Sequence, residues 1–193
     1  MTGITAGLAV VAPDGGPAPE IVDTPVGESS NPPVPAPKIL TDSSRLELNG
    51  IGPIVVGMTP DEASAAHGKP VTIDPRSDRG RGCAHAVAEG GPAGLQFMVV
   101  NGRIVRIEVG PGPVATVEGI TTGSPVQDVL AAYAGRVRTE PHTYTARTGG
   151  QDLIVDEASG GNPMSILFET DGKQVRTFRS GLTGAVMAPE GCS

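Results

Sequence analysis

A chain of 193 residues with a formal net charge of −7 and a pI near 4.9 is long enough for one or two domains. It is too acidic to have nucleic acid or an anionic membrane surface as its main partner. Aromatic residues make up only 3 %, with no Trp, so the core must be built from Val, Ile, Leu, Ala and a few Phe and Met.

The N-terminus, "MTGITAGLAVVAP", carries an apolar run from Ile4 to Ala12 that is too short to span a bilayer. Its small residues and the "AVVA" stretch fit the end of a secretory signal, although no Lys or Arg precedes them. Residues 1–13 are therefore read as a truncated signal segment. Membrane proximity would then come through a processed or missing signal, with no transmembrane helix. Of the 19 prolines, eight fall between Pro13 and Pro37, in a stretch nearly free of large apolar side chains. Such a stretch cannot offset chain entropy by burial. Residues 14–43 are expected to be a disordered, Pro-rich linker.

From residue 44 on, the chain repeats itself. A first unit over 44–112 is expected to hold an extended piece (52–56), a helix, a strand "CAHAVAE" (83–89) and a hairpin over 95–109. The helix signal is a capping box: Thr59 as N-cap, Pro60 as first helical residue and Glu62 reaching back. A second unit over 113–193 repeats the order: an extended piece (115–120), a helix opened by Ser124, Pro125 and Gln127, strands "TYTART" (143–148) and "DLIVDE" (152–157), a hairpin over 164–179 and a C-terminal tail. Val126, Val129, Leu130 and Tyr133 give the second helix an apolar stripe. The predicted class is α+β: two tandem units, each a short helix packed on an antiparallel meander sheet.

The two hairpins echo each other closely. Asn101-Gly102 and Asp171-Gly172 are turn dipeptides, each followed by a basic residue and then by Val105-Arg106 or Val175-Arg176. Two-residue turns would pair Met98 with Val105 and Phe168 with Val175. On that register Ile166, Phe168 and Val175 face the core in the second hairpin, and Met98 and Val105 do so in the first. The opposite side of the first hairpin then displays Leu95, Phe97, Val99 and Ile104. This outer apolar patch must be covered, either by the second unit or by a partner protein.

Chemistry-bearing motifs are sparse. Cys83 and Cys192 are the only cysteines, and an isolated pair in an exported chain points to a disulfide that staples the two units. Cys83 and His85 would share a strand face, so a metal or Cys–His nucleophile is the competing reading, but no third or fourth ligand is in sight. His67 and His142 read as single exposed or half-buried residues. Glu62 and Glu108 are the best candidates for buried carboxylates, Glu62 being better explained as a cap. Arg106, Arg176 and Arg179 form either a basic stripe or, more simply, cross-strand charges on a solvated face. No Gly-rich segment follows a strand and opens a helix as a phosphate loop must. No cofactor is expected.

The stretch "VGMTPDEASAAHGKP" (56–70) resembles the opening helix motif of the SmpA/OmlA (BamE-like) family, through Gly57, Met58, Thr59, Glu62, Ala63, Gly68 and Pro70. The second unit keeps Gly123, Ser124, Val129 and Leu130 but lacks the Met-Thr pair. The tandem arrangement, over roughly 50–180, is similar to beta-lactamase inhibitor protein-like repeat domains of exported bacterial proteins. The resemblance implies a non-catalytic fold of the cell envelope that binds proteins or steadies an assembly. The expected function is a secreted or envelope-associated interaction module with an unidentified protein partner. The alternatives are an enzyme with a dispersed site near Cys83 and His85, or a purely structural spacer.

Overall fold

The computed structural model describes residues 39–78, 80–159 and 161–192. The signal segment (1–13) and the linker up to residue 38 lie outside the described residues. Three short strands come first: β1 (Arg45–Leu46), β2 (Gly50–Ile51) and β3 (Ile54–Val55). Helix α1 (Pro60–His67) leads into β4 (Val71–Ile73), β5 (Cys83–Ala88), β6 (Leu95–Val100) and β7 (Arg103–Val109). After β8 (Ala115–Thr116), helix α2 (Val126–Ala132) leads into β9 (Val137–Pro141), β10 (Gln151–Ser159), β11 (Asn162–Thr170) and β12 (Val175–Leu182). A final short helix, α3, spans Thr183–Val186. The class is α+β, with three α-helices and two antiparallel-rich sheets among the described residues.

The larger sheet has eight strands in the order β4-β5-β6-β7-β12-β11-β10-β9, every neighbouring pair antiparallel. A four-strand meander after α1 and another after α2 thus meet through their last strands. At that seam Val109 pairs with Phe178, Glu108 with Arg179, and Ile107 with Ser180. The smaller sheet runs β3-β2-β1-β8, with β1 and β8 parallel. It packs with α1 and α2 on the inner face of the large sheet in one apolar cluster, which includes Leu46, Ile51, Ala63, Val129 and Tyr133.

Both helices are launched the same way. Before α1, the Gly57 N–H donates to the Ile104 carbonyl and the Ile104 N–H to Met58, both at 2.8 Å. Before α2, the Gly123 N–H donates to the Val175 carbonyl at 2.8 Å and the Val175 N–H to Ser124 at 2.9 Å. Each glycine has positive φ (98° and 88°), which L side chains rarely adopt, so the turn into the helix selects glycine.

Helix α1 has the full capping box, Thr59 Oγ1 accepting from the Glu62 N–H and Glu62 Oε2 from the Thr59 N–H. Helix α2 does not. Its N-cap is Pro125 with no side-chain cap: Ser124 Oγ accepts from the Thr121 N–H, and the backbone around Pro125 is held instead by Lys173 and Gln174, just before β12. Its stripe packs inward as expected: Val126, Val129 and Tyr133 are buried and Leu130 is half-buried.

Several expectations need correction. The ordered core begins before residue 44: Leu40 is 1 % exposed and its N–H donates to His67 Nδ1 at 3.1 Å. His67 is itself fully buried, with Nε2 3.2 Å from the Glu89 carbonyl, and so joins the entering chain to the far end of β5. Residues 143–148 form a turn and a 3₁₀ segment (Ala146–Thr148), and the strand of that region is β9.

The central correction is the register of the hairpins. Asn101 (φ 50°) and Gly102 (φ 77°) make the expected two-residue turn, but β6–β7 carries an irregularity at Met98/Val99. Val99 pairs with Ile104 and Met98 with Arg106, so Val105 is the extra residue. In β11–β12 the connection is longer, Asp171 Oδ1 accepting from the Lys173 and Gln174 N–H groups. Thr170 then pairs with Val175, and Phe168 with Phe178. The partner of Phe168 across the two hairpins is therefore Phe97, not Met98. A one-residue slip moves every side chain to the other face. Leu95, Phe97, Val99 and Ile104 are core residues, between 0 and 7 % exposed, not an outer patch. Met98 lies on the opposite face.

Candidate functional site

Because Leu95, Phe97, Val99 and Ile104 are buried, no partner can reach them, and the available face of the large sheet is the outer one. Alternation places Gln96, Met98, Arg106 and Glu108 there on β6 and β7, with Thr177 and Arg179 opposite on β12 and Leu167 and Glu169 on β11. Across this face runs the C-terminal segment from Thr183 to Cys192, here called the strap.

Two arginines hold the strap. Arg106, 3 % exposed, donates Nη1 to the carbonyls of Ala185 (2.6 Å) and Ala188 (2.7 Å) and Nε to Glu108 Oε1 (2.9 Å). Arg179, 8 % exposed, donates Nε to the Val186 carbonyl (2.6 Å) and Nη1 to Glu169. The last carbonyls of a helix lack intrahelical partners, and a guanidinium is suited to satisfy several at once. Val186 completes the attachment by packing on Ile154 and Leu167. Arg106 and Arg179 are thus buried clamps, not charges on a solvated face. Arg176 is exposed beside Asp171.

The covalent end of the strap is the disulfide Cys83–Cys192, Cα–Cα 5.3 Å, which joins the start of β5 to the residue after the last turn. Gly191 (φ +61°) sits against the same cluster: a Cβ there would lie 3.0 Å from Arg106 Nη2 and 3.5 Å from His85 Nε2. His85 is placed by its N–H bond to Ser77 Oγ (2.7 Å), and its Nε2 lies 3.3 Å from Glu108 Oε1. On the second meander His142 Nε2 lies 3.6 Å from Glu169 Oε2.

Burial alone would raise the Glu108 carboxyl, but the hydrogen bond from His85 and the charge and hydrogen bonds of Arg106 bring it down to about 2. Glu169 is lowered too, burial being outweighed by Arg179 and by the Thr177 hydroxyl. Asp152 shifts the other way: burial raises it, Glu169 adds to the rise, and its Oδ1 has no partner among the described residues. A carboxyl lower in the folded state than in the unfolded chain adds stability above its unfolded value, lost as the pH falls through the folded one. The melting temperature is therefore expected to fall from about pH 5 towards pH 2, and Glu108→Gln to flatten that fall. A Glu108→Gln protein with the parent's acid slope would rule out this contribution.

Two hollows flank the clamps. One, of about 240 Å³, lies over the seam and is lined by Gln96, Arg106, Glu108, Glu169, Arg179 and Pro189. The other is an apolar groove of about 440 Å³ between Met98, Val100 and Val105 on one side and Leu182 at the end of β12 with Ala185 and Ala188 of the strap on the other, with Pro163 at one end. Among the described residues no three His, Cys, Asp or Glu side chains are grouped to hold a metal ion. The sequence pointed to the disulfide pair and to Cys83 and His85 on one face, but not to the strap. Its only signal was that Arg106 and Arg179 alternate with core residues on both hairpins. No family model matches this chain, and neither the curated proteins nor the solved structures yield a match.

Proposed function

We propose that this chain is an exported, non-catalytic protein-interaction module of the cell envelope, built from two tandem BamE-like units. The duplication is supported by the matching clamps at Gly57/Ile104 and Gly123/Val175, by the equivalence of Phe97 with Phe168, and by the seam. The seam register, with Glu108 opposite Arg179 at its centre, also supports it, since two like units meeting through their last strands would be related by a local twofold there. Export is supported by the disulfide, which persists in oxidising compartments. No helix among the described residues is long and apolar enough to cross a membrane.

The observation that carries the binding role is the apolar groove beside the strap. It is open, uncharged along both walls and set in a rigid frame of paired strands and a cross-linked strap, so a partner would meet a preformed surface. Its occupant is an extended segment of an envelope protein that inserts apolar side chains between Met98 and Leu182. Val105, the extra residue of the bulge, is half-buried on the wall and supports no core contact. A tagged Val105→Asp protein is expected to melt like the parent but to lose the protein that the parent captures from envelope extract. Equal capture by both would reject the groove. The enzyme alternative near Cys83 and His85 has no free thiol while the disulfide is closed.

A further inference from the structure

The apolar groove carries one polar side chain whose hydrogen-bonding sense is fixed from behind. Thr183, the first residue of the strap, is half-buried and lines the groove. Its Oγ1 lies 2.8 Å from Ser165 Oγ. Ser165 is fully buried on β11 and donates to Asp156 Oδ1, directly opposite on β10, at 2.6 Å. Arg138 donates Nε and Nη2 to the other oxygen, Asp156 Oδ2, at 3.3 and 3.0 Å. Burial alone would raise the Asp156 carboxyl, but Ser165 and Arg138 bring it below its ordinary value, so it is ionised and can only accept. A hydroxyl has a single proton. Ser165 gives its proton to Asp156, so the proton between Ser165 and Thr183 is Thr183's. Thr183 is left with lone pairs alone to offer a ligand. Asn162, the other polar side chain on the groove, carries both an acceptor and donors and imposes no such choice.

We propose that Thr183 Oγ1 is the specificity-determining acceptor of the groove and pairs with a backbone N–H of the extended segment bound there. The hydrocarbon walls take the apolar side chains of that segment, and the single polar contact sets its register. Ser165 and Asp156 touch no ligand. They are positioning residues, and Ser165 holds Thr183 to accepting. This preference presupposes the groove as the binding surface and adds to it the polarity of what binds.

Two probes of one shape, N-butylhexanamide and butyl hexanoate, differ in having an N–H or an ester oxygen at mid-chain. Titrated into protein with carbon-13-labelled Met methyl groups, both are expected to shift the Met98 resonance. Met58, packed against the core cluster, should stay in place. The affinity ratio of amide to ester should be several-fold higher in the parent than in Thr183→Val, which keeps the shape and removes the acceptor. In that variant the ratio falls through weaker amide binding. In Ser165→Ala the Thr183 proton is no longer committed, so the hydroxyl can also donate. There the ratio should fall through tighter ester binding. If Met98 shifts but Thr183→Val or Ser165→Ala keeps the parent's ratio, the proposal is overturned and the groove stands. A Met98 resonance that neither probe moves in the parent removes the groove, and the proposal with it.

Discussion

A Phe97→Asp variant is expected to yield no cooperatively folded protein. Phe97 is 0 % exposed on the inner face, paired across β6–β7 with Ile107 and across β5–β6 with Ala86. Truncating a buried Phe costs about 3–5 kcal/mol, and an unpaired carboxylate in its place adds a penalty of several more. Together these match the roughly 5–15 kcal/mol that holds a domain folded. Phe97→Leu, which keeps most of the volume, should fold and melt somewhat lower. Far-UV circular dichroism during heating separates these outcomes. A soluble Phe97→Asp protein melting like the parent would return the residue to a surface and reopen the patch as a binding site. The contrast with Val105→Asp is the informative one, because the two positions lie close together on the hairpin but on opposite faces.

The second large effect concerns the cross-link. The bonded cysteines are 109 residues apart, so the bridge constrains most of the described chain in the unfolded state. The chain-entropy model assigns a loop of that length roughly 4–5 kcal/mol. At about 2–4 °C per kcal/mol for a chain of this size, the Cys83→Ser, Cys192→Ser double variant should melt roughly 10–20 °C lower. It should still be folded in the cold, where the clamps and the apolar core remain. Differential scanning calorimetry measures the shift directly. A melting temperature within a degree or two of the parent would mean the unfolded chain gains little freedom when the bridge is opened.

Much of this architecture was legible in the residues. The capping box at Thr59 and Glu62, the type of turn at Asn101-Gly102 and the stripe of α2 are local patterns, and each formed where its spacing placed it. The disulfide pairing was legible because there was only one way to pair two cysteines. What was not legible was any property that depends on one extra residue. The irregularity at Met98/Val99 has no composition of its own, yet it decided which residues of β7 after Ile104 share the core face with Phe97. Leu40 gave no signal either, since a lone Leu beside a Pro-rich stretch has no periodicity, although its contact with His67 begins the fold. The strap was hidden for a third reason. Its sequence, small and Gly-rich, reads as a loose tail, and its order is imposed from outside by Arg106, Arg179 and a distant cysteine.

The charges at the centre of the seam limit how such a sheet can be assembled. Where Glu108 of β7 lies opposite Arg179 of β12, a pair of identical strands in the same register would set carboxylate against carboxylate, or guanidinium against guanidinium. Like charges directly opposite one another destabilise an antiparallel pair. Separate copies of one meander would repel each other at the point where they most need to join. Two non-identical meanders on a single polypeptide escape this conflict, and their covalent connection then chooses each one's mate.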